Sequence, residues 1–174
     1  MAEQLSQIEN IFSIDAHLDY QAIVIGAGVA GIYQIKRLAE LGVRATVLDG
    51  NPDLGGTWYN NRYPGARFDS ESYTYSYSFS KEVLDEWHWT EKFSPQPETL
   101  KYLNFVTDKF QLRQYMQFNC WVEAMVFDKD ANFWVVKLAD GRQLTTRFIV
   151  TGVGVLSTPT LPKLEGLESF KGVS

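Results

Sequence analysis

The feature that most constrains the fold is a cluster of three glycines, Gly26-Ala27-Gly28-Val29-Ala30-Gly31, between a predicted strand and a predicted helix. The strand is Tyr20–Ile25, a short apolar run rich in β-branched residues, which is typical of a buried parallel strand. The helix is predicted over 32–41, where apolar residues recur at helical spacing and Gly42 is placed to end it. A second strand over 43–48 completes a β-α-β unit.

Each glycine of this G-x-G-x-x-G pattern has a separate physical reason. Gly26 allows the tight turn off the strand, Gly28 lets a pyrophosphate approach the backbone, and Gly31 lets the helix pack on the strand. The phosphates are expected at the helix N-terminus, around Ala30, where free N–H groups and the helix dipole favour anions. The pattern therefore predicts dinucleotide binding through Gly26, Gly28, Ala30 and Gly31.

The end of the second strand narrows the choice of cofactor. Asp49 lies roughly 20 residues beyond the first glycine, where a carboxylate binds a ribose hydroxyl. Together with Gly50, it forms the expected sugar-binding end of the site. Because an acid here repels a 2′-phosphate, the site is predicted to hold FAD or NAD rather than NADP.

Composition limits the cellular location and the classes of partner that are expected. The chain has 174 residues, a net charge of −5 and one cysteine, Cys120. The length fits one ordinary domain, and the acidic balance argues against a nucleic-acid partner. An internal disulfide is impossible, and no residue spacing suggests a metal site. No apolar stretch approaches the ~20 residues that span a membrane, and no signal-peptide pattern is present, so we expect a cytoplasmic protein without a membrane partner.

Beyond Gly50 the predicted secondary structure changes from loop to helix and then to strands. Residues 50–97 are loop-like, although 73–80 alternate aromatic and small polar residues, which predicts a strand. A helix is predicted over 98–112, with Pro97 in its first turn. Three strands are predicted over 116–127, 133–138 and 143–150, and Asp140-Gly141 predicts a hairpin between the last two.

These elements predict an α/β fold, namely a Rossmann-like FAD-binding domain with a parallel sheet plus an antiparallel β-meander. An NAD domain usually continues with another helix and a third parallel strand, whereas here a long aromatic loop and a meander follow, which favours FAD. We expect an N-terminal extension over 1–19, containing an amphipathic turn through Ile8, Ile11 and Phe12. The FAD-binding domain is expected over 20–158 and an exposed connecting tail over 159–174.

The chain also resembles a known family. The segments that carry the resemblance are the glycine loop, the GGTW run with the following stretch through Asp69, the aromatic stretch 72–80 and the TGVGVLSTPTLP run at 151–162. They are similar to the N-terminal FAD-binding region of Baeyer–Villiger monooxygenases, within the flavin-containing monooxygenases. The combination of GGTW with RYPGARxD is far more specific than the glycine motif, and the match covers nearly the whole chain. One departure is Phe68, where the family often has Cys.

This resemblance implies roles for further residues. Gly56, Thr57 and Trp58 would line the pyrophosphate and isoalloxazine side of the cofactor, with Tyr75 close by. Val122 would contact the adenine through its backbone, and Thr151 and Gly152 would bring the chain back to the dinucleotide. Asp69 is the implied catalytic residue, near the reactive ring edge, where it would hold an Arg through a charge-assisted pair.

The implied activity is NADPH- and O2-dependent insertion of oxygen next to a ketone. The family's active-site Arg, NADPH domain and substrate lobe have no counterpart in the sequence, and its F-x-G-x-x-x-H-x-x-x-W fingerprint is met only at Phe170 and Gly172. We therefore expect FAD as the cofactor, and NADPH only if the missing domain is supplied. Expected protein partners are a complementary C-terminal half or a second copy, bound through an apolar aromatic patch over 73–89.

Two other functions fit part of the pattern. One is a stand-alone FAD-binding module or flavin-dependent oxidase that lacks monooxygenase activity. The other is a relative of the disulfide reductases, which the single cysteine and the GGTW–RYPGARFD segment disfavour.

Overall fold

The computed structural model describes residues 17–160 and 162–172. Its strands and α-helices, in chain order, are β1 (Tyr20–Ile25), α1 (Val29–Glu40), β2 (Ala45–Leu48), α2 (Thr57–Asn60), α3 (Lys81–Glu86), α4 (Gln96–Lys109), β3 (Met116–Gln117), β4 (Val122–Asp128), β5 (Phe133–Leu138) and β6 (Gln143–Thr151). Short 3-10 helices lie at Ser72–Tyr75, Leu112–Tyr115 and Leu167–Ser169. The amphipathic turn predicted through Ile8, Ile11 and Phe12 lies outside the described residues.

One mixed sheet of six strands organises the described part of the chain, in the order β3-β2-β1-β6-β5-β4. β1 pairs in parallel with β2 and β6, and β2 pairs in parallel with β3. β4, β5 and β6 form an antiparallel meander, whose last turn contains the predicted Asp140-Gly141 pair. The fold is therefore an α/β Rossmann-like domain with a parallel core and an antiparallel meander, as the sequence predicts.

The core lies on both faces of this sheet, because successive side chains of a strand point to opposite sides. On one face, Ala22 and Val24 of β1 pack in a cluster with Ile32 and Ile35 of α1, and α4 adds Tyr102, Leu103 and Val106. On the other face, Ile23 and Ile25 join Leu48 of β2 and two residues of β5, Val136 and Leu138. This double burial explains why β1 is an almost continuous apolar run.

Two strand predictions are wrong. The alternating segment 73–80 contains a 3-10 helix and irregular backbone, not a strand, because its rings pack individually against the core cluster beneath α1 and α4. The single strand predicted over 116–127 is divided into β3 and β4, and Asn119, with φ of 55°, lies in the break between them. A left-handed residue cannot continue a regular strand.

The aromatic stretch 73–89 is mostly packed rather than exposed. Of its Tyr, Phe and Trp side chains, only Tyr73 belongs to the exposed class, and Trp87 and Trp89 both contact the ring of Tyr102. The predicted apolar patch is therefore not formed by this stretch. Exposed large apolar side chains are found instead at Trp121, at Phe148 and over residues 153–156.

Candidate functional site

The glycine loop connects β1 to α1 with no room for side chains at two of its glycines. Gly26 has φ of +101°, and a Cβ added there would lie 2.5 Å from the carbonyl oxygen of Gly152. A Cβ added at Gly31 would lie 1.8 Å from the carbonyl oxygen of Gly26. Gly31 is therefore the glycine that allows the helix to pack on the loop, as the sequence predicts, and Gly26 allows the turn.

The N-terminus of α1 is open. Gly28 is the N-cap residue, no side chain caps the helix, and the first turn contains no acidic residue. Among the described residues, the N–H groups of Gly28, Val29 and Ala30 have no hydrogen-bond acceptor. Unpaired N–H groups at a helix N-terminus attract anions, because the helix dipole adds a partial positive charge.

Asp49 is buried at the end of β2 and organises the adjoining backbone. Its Oδ2 accepts a hydrogen bond from the N–H of Ala27 at 2.7 Å, inside the glycine loop. Its Oδ1 accepts from the N–H of Asn51 at 2.8 Å and from the side-chain Nδ2 of Asn51 at 3.0 Å. The carboxylate thus connects the glycine loop to the end of β2, and Oδ2 keeps a lone pair for a further donor.

The GGTW run forms the opposite wall and is joined directly to the glycine loop. The N–H of Gly55 donates to the carbonyl of Ala27 at 2.9 Å. A Cβ added at Gly56 would lie 3.0 Å from the Cα of Gly28, so the two backbones are in contact there. Gly56 also has a positive φ of 53°, and α2 begins at the next residue, Thr57. Two glycine loops therefore meet at the tip of α1.

Trp58 and Tyr75 extend this wall as a hydrogen-bonded aromatic pair. The Nε1 of Trp58 donates to the hydroxyl of Tyr75 at 2.7 Å. Phe68 stacks on Tyr75 with ring centroids 4.4 Å apart and an interplanar angle of 5°, and its edge contacts Trp58. Burial raises the pKa of Tyr75 above its ordinary value, and the hydrogen bond from Trp58 opposes the rise. Tyr75 is therefore a neutral phenol at physiological pH.

These walls enclose a cleft of about 600 Å³, a volume typical of small-molecule and cofactor sites. The predicted residues that line it are Gly26, Gly28, Ala30, Asp49, Gly50, Gly56, Thr57, Trp58, Tyr75, Val122, Thr151 and Gly152. Gly31 lies beneath the loop instead. Asp69 is exposed, does not line the cleft and has no hydrogen-bond or ion-pair partner among the described residues.

The cleft has few charged lining residues. Among the residues that the structure describes, no Lys, Arg or His lines the cleft, and Asp49 is its one acidic lining residue. A phosphate in this cleft would therefore be held by backbone N–H groups and the helix dipole rather than by a cationic side chain. The chemistry of the donors fits a dinucleotide, with a pyrophosphate at the tip of α1 and a ribose hydroxyl at Asp49.

Comparison with known proteins shows which proteins this chain is similar to. The profile of the NAD(P)-binding Rossmann-like domain matches residues 24–89. The chain is 42% identical over 153 residues to 2-oxo-Δ3-4,5,5-trimethylcyclopentenylacetyl-CoA monooxygenase of Pseudomonas putida, covering 88% of this chain and 28% of that protein. It is 41% identical over 167 residues to a Baeyer–Villiger monooxygenase of Pseudooceanicola batsensis, covering 95% and 30%. This chain is homologous to the N-terminal, FAD-binding, Rossmann-like part of Baeyer–Villiger monooxygenases.

Solved structures agree with this relationship. The crystal structure of OTEMO in complex with FAD and NADP superposes with a TM-score of 0.82 at 41% identity, over 89% of this chain and 29% of that one. The chain therefore spans less than a third of the length of each of these relatives. The similarity concerns the fold described above, not the remainder of those proteins.

Several lining residues were not predicted. Asn51, Cys120, Trp121 and residues 153–158 also line the cleft. Asn51 could have been found from the Asp49-x-Asn51 spacing, because an Asp side chain often accepts from the backbone two residues further on. Trp121 directly precedes Val122, but nothing in the sequence indicates which way its indole turns.

The two arginines of the RYPGARFD segment have structural partners outside the cleft. The Nε of Arg62 donates to the carbonyl of Tyr59 at 2.7 Å. The Nη1 of Arg67 donates to Glu91 at 3.0 Å and to the carbonyl of Phe93 at 3.1 Å. Both side chains therefore stabilise the loop rather than line the cleft.

The described residues show neither a metal cluster nor a membrane-spanning helix. Over 17–160 and 162–172, no group of three or more His, Cys, Asp or Glu side chains is arranged to hold a metal ion. None of the helices in that part of the chain is long and apolar enough to cross a membrane.

Proposed function

We propose that the cleft binds FAD, as the flavin-binding part of a Baeyer–Villiger-type flavoprotein monooxygenase. The observation that carries this proposal is the open N-terminus of α1, which faces the cleft where Gly56 contacts Gly28. Asp49 lines the same cleft beside the glycine loop and offers a free lone pair to a ribose hydroxyl. The relationship to monooxygenases, one of which has been solved with FAD and NADP, supports the same assignment.

FAD fits this cleft better than a nicotinamide cofactor for two reasons. Asp49 repels the 2′-phosphate that distinguishes NADPH from NADH. Beyond β6, the antiparallel strands β5 and β4 occupy the positions where an NAD domain continues its parallel sheet. Oxidation of NADPH would therefore require a second nucleotide site on residues outside this chain.

Bound FAD would supply the redox chemistry, and the residues of this chain would hold and orient it. The N–H groups of Gly28, Val29 and Ala30 would donate hydrogen bonds to the pyrophosphate oxygens. Asp49 would accept a hydrogen bond from the ribose and keep the glycine loop in place through Ala27. Trp58 and Tyr75 would present an apolar, neutral wall to the flavin, which excludes water from that side.

For Asp69 we propose a positioning role. It directly follows Phe68, whose ring stacks on Tyr75 at the aromatic end of the cleft. Its carboxylate is exposed and without a partner among the described residues, so it is available to hold an arginine supplied by residues outside this chain. It would act on the flavin only through that arginine.

The activity of the whole protein follows as a further proposal. NADPH- and O2-dependent insertion of oxygen next to a ketone would need the remaining two thirds that its relatives possess. We infer that this part is provided by a complementary C-terminal segment, and that the exposed residues Trp121, Phe148 and 153–156 favour self-association in its absence. The single cysteine is compatible with a cytoplasmic location.

The test is to purify the chain with excess FAD, remove free flavin and record the visible spectrum, then add NADPH without oxygen. We expect a yellow protein whose flavin is not bleached by NADPH but is bleached by dithionite. Bleaching by NADPH would contradict the requirement for a second nucleotide site. A colourless protein that takes up no FAD would refute the proposed function.

A further inference from the structure

Trp121 stands at the rim of the cleft in a fixed position. The segment before it is bonded to the end of β2, since the N–H of Cys120 donates to the carbonyl of Asp49 at 2.8 Å and that of Asn119 donates to the carbonyl of Asn51 at 2.9 Å. The carbonyl of Trp121 accepts from the N–H of Ala139 at 2.9 Å. The backbone therefore holds Trp121 beside the sugar-binding carboxylate.

Its indole lies directly over Gly50. A Cβ added at Gly50 would lie 2.5 Å from Cε3 and 3.2 Å from Cζ3 of Trp121. Any side chain at position 50 would displace the indole, so the position of the ring depends on glycine there. With the indole in place, Trp121 is still 67% exposed and lines the cleft.

An exposed indole at this point has a chemical use. A base joined to a ribose at Asp49 lies within reach of the residues next to Asp49, which are Gly50 and Trp121. Every nucleobase has an apolar face that stacks on aromatic rings, and loss of such a ring weakens nucleotide binding by about 10-fold. Gly50 and the indole both line the cleft, so the ring is available to stack on a base.

We propose that Trp121 is the adenine-stacking residue of the cleft, and that Gly50 is required because it gives the indole its place. The inference rests on the proposed FAD site and adds to it a specificity for ligands that carry adenosine diphosphate. FMN, which has the same isoalloxazine ring but no adenosine, gains nothing from Trp121. Trp121 would therefore increase the affinity for a dinucleotide without increasing the affinity for a flavin mononucleotide.

The experiment is a calorimetric titration of the purified chain with FAD, ADP and FMN, comparing wild type with Trp121→Ala, Trp121→Phe and Gly50→Ala. Phe148→Ala is the matched control, because Phe148 is also an exposed aromatic residue, 59% exposed, but does not line the cleft. Circular dichroism checks that each variant is folded. Trp121 and Phe148 are both exposed, so neither change should disturb the core.

We expect Trp121→Ala to weaken the binding of FAD and ADP by about 10-fold and to leave the affinity for FMN unchanged. Trp121→Phe should retain most of the affinity, Gly50→Ala should resemble Trp121→Ala, and Phe148→Ala should match wild type. Equal affinities of wild type and Trp121→Ala for FAD and ADP would overturn the inference, as would an equal loss for FMN.

The ADP arm separates this inference from the proposed function. If wild type binds ADP in a Trp121-dependent way but does not bind FAD, the proposed flavin site is wrong and the adenine site stands. If wild type binds FAD and ADP and the Trp121→Ala variant binds both as well, the flavin site stands and the role of Trp121 is wrong. Absence of binding to every ligand would overturn both.

Discussion

Replacement of Gly31 by alanine has two effects of opposite sign on the free energy of unfolding, and the structure shows which is larger. Gly31 lies inside α1 with an ordinary helical backbone, so helix propensity alone predicts that alanine stabilises the protein by about 1 kcal/mol. The added Cβ, however, would lie 1.8 Å from the carbonyl oxygen of Gly26 and 2.9 Å from its carbonyl carbon. Cβ atoms in real structures essentially never approach closer than 3.0 Å.

The obstacle is backbone, so the helix and the glycine loop must separate by about 1 Å in a close-packed region. The loop cannot simply retreat, because the N–H of Gly26 is bonded to the carbonyl of Leu48 at 2.8 Å. Overpacking a core costs about 1–3 kcal/mol, and we expect the upper end here. After subtracting the gain in helix propensity, the predicted loss is about 2 kcal/mol of the free energy of unfolding.

Urea unfolding followed by circular dichroism measures this loss, which should lower the midpoint by about 1 M. Gly42→Ala is the control, because Gly42 has φ of +69° but no atom within 4 Å of an added Cβ. The free energy of unfolding of that variant should fall only by the cost of a left-handed alanine, about 1 kcal/mol. A Gly31→Ala protein as stable as wild type, or more stable than Gly42→Ala, would refute the steric reasoning.

Three further predictions concern the site. Asp49→Ala should lower the free energy of unfolding by about 2–3 kcal/mol in urea titrations, because it leaves the N–H of Ala27 unpaired; full stability would contradict this. Phe68→Leu should cost about 1 kcal/mol by the same assay and shift the tryptophan emission, because the stack on Tyr75 is lost; an unchanged spectrum and stability would count against the stack. Burial raises the pKa of Tyr77 well above its ordinary value, so stability should be complete below about pH 10 and fall as the pH rises further, when only the unfolded chain ionises. Between pH 9 and 11, the free energy of unfolding should depend less steeply on pH in Tyr77→Phe than in wild type. An equal slope in the two proteins would contradict a buried neutral phenol.

The parts of the fold set by local rules could be predicted from the sequence. The glycine loop, the first two strands and the Asp140-Gly141 hairpin each depend on backbone conformations or periodicities that nearby residues decide. The combination of a parallel sheet with an antiparallel meander was predictable for the same reason, because the β-α-β unit and the Asp140-Gly141 hairpin each fix the direction of neighbouring strands. These rules do not require knowledge of distant contacts.

The aromatic segment could not be predicted in this way. Residues 73–80 alternate like a strand, yet Tyr77 donates its hydroxyl to the carbonyl of Val29 at 2.6 Å and stacks near Tyr102. Those partners lie on α1 and α4, and they override the local β preference. The break at Asn119 and the placement of Trp121 over Gly50 likewise depend on hydrogen bonds to the end of β2, which no local pattern indicates.

The most direct test of the account follows the backbone amides of the glycine loop by nuclear magnetic resonance. The nitrogen-15-labelled chain would be titrated with FAD, with assignments for Gly28, Val29 and Ala30 at the tip of α1. We predict that these three amides show the largest shifts, saturate together, and move downfield as expected for N–H groups that acquire an anionic acceptor. Saturable FAD binding that leaves all three amides unmoved would contradict the claim that the helix N-terminus holds the pyrophosphate.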